Sequence, residues 1–298
     1  MSISVVIPAY NAERFIAQTL DSVLAQTLPP DEVLVIDDGS TDSTADVAER
    51  FGAPVRVIRR ANARQSATRN FGVREAKSEW IAFIDADDRW EPDKLARQAE
   101  ELARHPEADL CYTARVQLFD DGVTTRLGRV IPVPAGEDVR TGLFRNTTFL
   151  PSSVMVRRSA FLASGGFDTS MNYVEDWDLW MRMFHSGMKF AAVQEPLVQH
   201  RLHAGSMSHQ AMASLAAEKA MFRRHVLPHL PPSTRWFAHQ KSQSGQESSA
   251  AFVLREVGDR RSLSMMARSI LRYPLNDPHR YKVFAHMVYT RFRQSLSK

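Results

Sequence analysis

Four short apolar runs alternate with helical segments through the first hundred residues, and this alternation restricts the chain more than any other feature. Ile3-Ser-Val-Val-Ile7 is β-branched and stopped by Pro8, and Glu32-Val-Leu-Val-Ile36 runs into Asp37-Asp38-Gly39-Ser40. Val55-Arg-Val-Ile58 follows, and Trp80-Ile-Ala-Phe-Ile84 ends at Asp85-Ala-Asp87-Asp88. Short apolar runs bounded by turn residues read as buried strands. Between them, residues 12–26 place Phe15, Ile16, Leu20, Val23 and Leu24 at helical spacing. A helix capped by Thr41 or Asp42 is expected to run to about Phe51, another spans 64–77, and Glu91-Pro92-Asp93 opens one that reaches about Arg104. The order β-α-β-α-β-α-β predicts an α/β fold with a mainly parallel, Rossmann-like sheet and helices on both faces.

The rest of the chain is organised differently. Residues 110–165 read as further strands joined by Gly- and Pro-containing connections. From Gln210 the pattern turns helical, with breaks expected at Pro228 to Pro232, around Gly245, and at Pro274 to Pro278. Charge divides the same way. Residues 219–298 hold 15 Lys or Arg against 4 Asp or Glu, although the whole chain is only +4. A basic tail of this kind suits anionic lipid or a phosphate-bearing acceptor, and ordinary solvated helix faces would give the same bias. It lacks the motifs of a nucleic-acid-binding segment, so none is expected as partner. The single cysteine, Cys111, excludes an internal disulfide. The run Ile3–Ile7 is too short for a signal-peptide core, and no stretch of eighteen apolar residues occurs. The expected setting is cytoplasmic, with peripheral contact at the inner membrane face through the basic tail.

Polar clusters follow three of the strands: Tyr10-Asn11, Asp37-Asp38, and Asp85 to Asp88. In an open parallel sheet the carboxyl ends of the strands share one crevice, where ligands bind. Three carboxylates within four residues repel one another unless a cation compensates. Hard oxygen donors at a strand end suit Mg²⁺ or Mn²⁺, which keep waters and also take substrate phosphates. Helix capping explains one such Asp, and Asp-Gly at 38–39 is also a common turn pair.

Four segments occur in order: Ser4-Val-Val-Ile-Pro-Ala-Tyr-Asn11, Val33-Leu-Val-Ile-Asp-Asp-Gly-Ser-Thr-Asp42, Ala67-Thr-Arg-Asn-Phe-Gly72 and Ile81-Ala-Phe-Ile-Asp-Ala-Asp-Asp88. Together they resemble the family 2 glycosyltransferases of the GT-A fold, over roughly residues 3–208. The resemblance implies a GT-A domain over 1–209, with a nucleotide-binding half at 1–108 and an acceptor and catalytic half at 109–209, followed by a helical basic region at 210–298. It implies that Pro8, Tyr10, Asn11 and Asp38 hold the nucleobase and ribose, and that Arg69 lies near the base and diphosphate. Asp87 and Asp88 match the Asp-x-Asp region, one touching metal and the other ribose. Tyr173-Val-Glu-Asp-Trp-Asp178 matches a Glu-Asp pair at a helix start, which makes Asp176 the catalytic base and Glu175 its neighbour. Asp178 reads as a first-turn carboxylate, and Trp177 and Trp180 as core. His200-Arg201-Leu-His203 and the following Ser206 and Ser208 resemble a loop over the diphosphate, with Arg201 on phosphate and His203 on metal or phosphate.

The expected activity is metal-dependent, inverting transfer of a sugar from a nucleotide donor, a UDP-sugar first among these, to a glycan or lipid-linked acceptor hydroxyl. Bacterial surface polysaccharide or lipid-linked glycan assembly is the expected setting. The alternative is a catalytically inactive member that binds nucleotide sugar as a sensor or assembly subunit. An Asp-x-Asp after a strand also marks haloacid-type phosphotransferases, but Asp88-Arg89 departs from the continuation of that motif.

Overall fold

A computed structural model of the chain describes residues 1–120, 125–131, 149–202, 211–256, 259–275 and 278–296. The chain divides into two compact units, Met1–His203 and Ala204–Lys298.

The first unit begins with β1 (Ile3–Ala9), α1 (Ile16–Leu24), β2 (Glu32–Asp37), α2 (Thr44–Glu49), β3 (Val55–Arg59), α3 (Arg64–Glu75) and β4 (Trp80–Phe83). It continues with β5 (Arg89–Trp90), α4 (Lys94–Arg104), β6 (Ala108–Asp120), β7 (Thr125–Ile131), β8 (Val154–Arg157), α5 (Arg158–Ala163), α6 (Glu175–His185) and β9 (Lys189–Leu202). All nine described strands join one sheet in the order β3-β2-β1-β4-β8-β6-β9-β5, with β7 on β6. From β3 to β4 the pairing is parallel, as the alternation predicts. Beyond β4, strand β8 runs antiparallel to both β4 and β6, while β6 and β9 are parallel. This is the α/β sheet expected, extended by a mixed half.

Burial explains the strand composition. Val5, Val6, Ile7, Val33, Leu34, Val35 and Ile36 are all fully buried, as strands covered on both faces require. Helix α3 lies close to β1 because Gly72 has no side chain: a Cβ there would meet Val6 Cγ1 at 2.4 Å and Ile36 Cγ1 at 3.2 Å. Gly72→Ala is therefore expected to destabilise the fold by about 1–3 kcal/mol, the usual cost of overpacking, read as a lower denaturation midpoint at unchanged slope.

Two helices start later than local signals indicate. The 12–26 segment opens as a turn, with Phe15 N and Ile16 N both donating to Ala12 O at 2.9 Å, and the α-helix follows from Ile16. Helix α4 starts at Lys94 because Arg89 and Trp90 pair with Gln199 and Val198 of β9, and Glu91 N donates to Leu197 O at 3.0 Å. Strand pairing takes residues that the Glu-Pro-Asp signal had assigned to a first helical turn.

The second unit contains α7 (Ala211–Met221), α8 (Pro232–Glu256), α9 (Arg261–Arg272) and α10 (His279–Leu296). Leu215, Ala250, Ala251, Leu254, Met265, Met266, Val283 and Met287 form its core. The break expected near Gly245 is absent, and that residue lies inside α8. A helical glycine costs about 1 kcal/mol, which the apolar burial of Ala250, Ala251 and Leu254 on the same helix offsets. Glu247 holds Lys219 at 2.7 Å and Arg272 at 3.1 Å, so one buried carboxylate ties α7, α8 and α9 together. Among the described residues no helix is long and apolar enough to cross a membrane.

Candidate functional site: an acidic strand end and a carboxyl raised toward neutrality

The carboxyl ends of β1, β2 and β4 carry the polar clusters expected there. At β1, Tyr10 is 53% exposed, an aromatic ring left to solvent beside a buried strand. Asn11 turns the chain at φ 48°, and its side-chain oxygen accepts from Thr41 N at 2.8 Å. Its backbone N donates to Ser40 Oγ at 3.0 Å. Asn11 thereby locks the β1 loop to the β2 loop and holds Tyr10 at the rim. Asp38 is buried, its Oδ1 accepting from Ala63 N at 3.0 Å with Arg60 Nε 3.9 Å away. Pro8 is half-buried one residue before the end of β1.

Past β4, residues 85–88 form a turn, with Asp88 N donating to Asp85 O at 3.1 Å. Asp85 and Asp87 are half-buried, whereas Ala86 and Asp88 are buried at 7% and 0% exposure. Asp88, expected among the metal ligands, is turned inward. Its Oδ1 accepts from Arg201 N at 2.9 Å and lies 3.2 Å from His200 Nδ1, pinning the end of β9. Burial acts to raise this carboxyl, but His200, Ser152 and the Arg201 amide outweigh it and hold Asp88 below the usual carboxylate range. Arg201, expected on phosphate, is 1% exposed. It donates to Asp87 O at 2.7 Å and Gln18 Oε1 at 3.0 Å, and stacks on Phe15 at 4.8 Å. Its guanidinium braces the backbone of the acidic turn. His203 lies outside the described residues, as do Ser206 and Ser208.

Asp85 belongs to the expected acidic cluster, although the family resemblance gave it no role of its own. Its backbone N donates to Ser152 Oγ at 3.0 Å, and its Oδ1 accepts from Arg69 Nη2 at 2.5 Å. Burial raises the Asp85 carboxyl; Arg69 opposes this, and Asp88 and Asp87 add like-charge repulsion. Arg69, the partner of Asp85, lies on α3, so no local pattern in the sequence marked the pair.

Arg69 projects from α3 and is 1% exposed. Besides Asp85, it reaches Glu175 Oε1 at 3.2 Å and lies 5.3 Å over the Phe167 ring. Burial would lower its pKa, but Asp85 and Glu175 more than compensate and raise it. Glu175 and Asp176 open α6, immediately after Val174 in the left-handed region at φ 55°. A β-branched residue there is strained, a condition that persists only where surrounding contacts enforce it. Asp176 is half-buried and its Oδ1 accepts from Trp177 N at 2.7 Å. Burial pushes its carboxyl up to about 7, with Glu175 and Asp85 adding repulsion against the Trp177 amide and Arg69. Asp178 faces the other way, bonded to Arg182 Nε at 2.7 Å, and Trp177 and Trp180 are core, both as the helix pattern indicated.

An α/β sheet with carboxylates at the ends of its parallel strands, continued by a mixed half with an acidic helix start, is the GT-A-type fold. The chain matches the profile of Glycosyl transferase family 2 over residues 4–164, and it belongs to that family. The amylovoran biosynthesis glycosyltransferase AmsB of Erwinia amylovora is 30% identical over 211 residues, spanning 68% of this chain and 70% of that one. Among solved structures, S. aureus TarS 1–349 in complex with UDP-GlcNAc aligns at TM-score 0.59 and 17% identity, over 92% of this chain and 89% of that one. The mannosyltransferase PcManGT from Pyrobaculum calidifontis, in complex with GDP-Man and Mn²⁺, aligns at TM-score 0.62 and 16% identity, over 96% and 84%. These likenesses establish the fold, and the family makes the protein a glycosyltransferase.

Proposed function

We propose that the protein transfers a sugar from a nucleoside-diphosphate donor, a UDP-sugar first among these, to an acceptor hydroxyl with inversion, in polysaccharide or lipid-linked glycan assembly. The observation that carries this reading is Asp176: a half-buried carboxylate at a strained helix start, raised to about 7, beside the acidic end of β4. A base poised near neutrality is what single displacement needs. Asp176 takes the acceptor's proton as its oxygen bonds to the anomeric carbon; the bond from that carbon to the diphosphate breaks on the opposite face, which inverts the centre. Tyr10 offers a ring for the nucleobase, with Pro8 and Asp38 beside it.

The donor set fits Mg²⁺ or Mn²⁺. Asp85 and Asp87 are both half-buried at the turn after β4 and offer hard oxygen donors, and Asp85 is raised by burial and by its acidic neighbours. Among the described residues no three His, Cys, Asp or Glu side chains group to hold a metal ion; Mg²⁺ and Mn²⁺ keep waters and take phosphate oxygens beside a few carboxylates. When bound, the ion would neutralise charge on the departing diphosphate. Asp87 would hold it, with Asp85 adjacent, while Asp88 and Arg201 fix the turn from behind.

AmsB acts in amylovoran biosynthesis, which supports a polysaccharide setting. The second unit, basic over 219–298 and exposing Trp236 at 64% and Phe237 at 59%, is proposed to rest on anionic lipid at the cytoplasmic face of the membrane. Binding to phosphatidylserine vesicles that weakens with salt is expected, and indifference to lipid charge would refute that contact.

Calorimetry with UDP, GDP and their sugars, with and without Mn²⁺, tests the donor reading. Metal-dependent affinity for one nucleotide and release of its diphosphate from the sugar donor are expected. Binding without any turnover would favour the sensor alternative.

A further inference from the structure

We propose that Arg69 is a positioning residue that straps the start of α6, and with it the Asp176 carboxylate, to the acidic end of β4, in place of the nucleotide contact expected for it. The inference rests on the reading of Asp176 as base. Its grounds are geometric. One guanidinium with 1% exposure spans two carboxylates from different elements, at 2.5 Å to Asp85 and 3.2 Å to Glu175. A planar fork reaches two partners in this way; a lysine ammonium on a flexible stem does not hold both in fixed directions.

Arg69 acts with its neighbours on α3. Asn70 clamps Phe167 from both sides, its Nδ2 donating to Phe167 O at 2.8 Å and its Oδ1 accepting from Phe167 N at 2.9 Å. Arg64 Nη1 donates to Asn172 Oδ1 at 2.8 Å. From the far side, Arg182 of α6 donates to Gly166 O at 2.7 Å. Gly166 itself sits at φ +70°, and a Cβ there would strike Asn70 Oδ1 at 2.5 Å, so no side chain intrudes on the clamp. Helix α3 thus grips the segment from Gly166 to Glu175 at three places, and the left-handed Val174 is held by that grip. Among these contacts Arg69 alone also reaches the β4 end, so it couples the donor side of the site to the base.

Charge gives the test its sign. The groups facing Asp176 are Glu175 and Asp85, which raise it, and Arg69 and the Trp177 amide, which lower it. Arg69→Met leaves Glu175 and Asp85 uncompensated, so the acidic limb of the kcat–pH profile moves to higher pH. Glu175→Gln removes a like charge, so the limb moves to lower pH. The experiment records UDP release from a UDP-sugar across pH for both variants, with UDP binding in Mn²⁺ by calorimetry. Opposite limb shifts are expected, with kcat about a hundredfold lower in Arg69→Met and UDP affinity nearly unchanged. Lost UDP affinity in Arg69→Met with an unmoved limb would overturn the proposal in favour of a nucleotide contact. If Arg69→Met does not fold, Glu175→Gln decides alone, and an unmoved limb there overturns it. Full activity in Asp176→Asn would instead remove the base reading itself, an outcome separate from either of these.

Discussion

Asp176→Asn is expected to lower kcat for sugar transfer by about 10²–10⁴-fold, the range that a positioned general base supplies, while UDP affinity changes little. The substitution is close to isosteric, and an amide oxygen can still accept from Trp177 N, which Asp176 does at 2.7 Å. The helix start therefore keeps its backbone contact and loses only the ability to take a proton. Stability should move the opposite way. The Asp176 carboxyl is raised from 3.8 to about 7 in the folded chain, so between those pH values the folded state binds more protons than the unfolded state. Stability from this group falls as pH rises through that window and is lowest above about 7. The Asn variant should thus melt no lower than wild type at pH 6 and higher at pH 8. An inactive, more stable variant is the signature of a group retained for chemistry at a cost in folding. Unchanged kcat, or lost UDP binding, would make Asp176 a structural residue.

Asp87→Ala is expected to abolish Mn²⁺-dependent UDP binding and to cut kcat/KM by a hundredfold or more, since charge neutralisation at phosphate is worth several kcal/mol. The strand end should survive, because Arg201 holds the backbone oxygen of Asp87. Asp88→Ala should behave differently. It removes the acceptor for Arg201 N and His200 inside a fully buried site. Breaking such a pair costs about 3 kcal/mol or more, a drop of roughly 6–12 °C in Tm for a domain of this size. Thermal melts of both variants beside Mn²⁺ and UDP titrations separate the two roles. Equal melting temperatures with metal binding lost in both would return Asp88 to the ligand set.

The contrast between Asp87 and Asp88 shows how far residue order can be read. All four strands of the first half, the helices between them and the clustering of Tyr10, Asp38 and the 85–88 carboxylates follow from local apolar runs and turn residues. Parallel topology then brings strand ends together without any detail of packing. The Glu175-Asp176 pair was also legible, as a helix start with excess acid. Orientation was not. Asp88 and Arg201 belong to the expected motifs, yet both turn inward because their partners lie more than a hundred residues away in the chain: Asp88 meets Arg201 N and His200 of β9, and Arg201 meets Asp87 O. The carboxylate partners of Arg69, Asp85 and Glu175, were hidden for the same reason: they come from separate elements.

Local sequence also misread the start of α4, where Glu91-Pro92-Asp93 carries a helix signal but Arg89 and Trp90 are drawn into pairing with Gln199 and Val198. Gly245 was misread in the opposite sense, since tertiary packing carries α8 through it. By itself, then, the sequence determined the α/β class, the order of its elements and the family, because those depend on periodicity and on short contiguous motifs. Only the tertiary structure decided which carboxylates are buried, which one is raised toward neutrality and which partners the arginines take. Those properties depend on burial and on charges contributed from elements far apart in the chain.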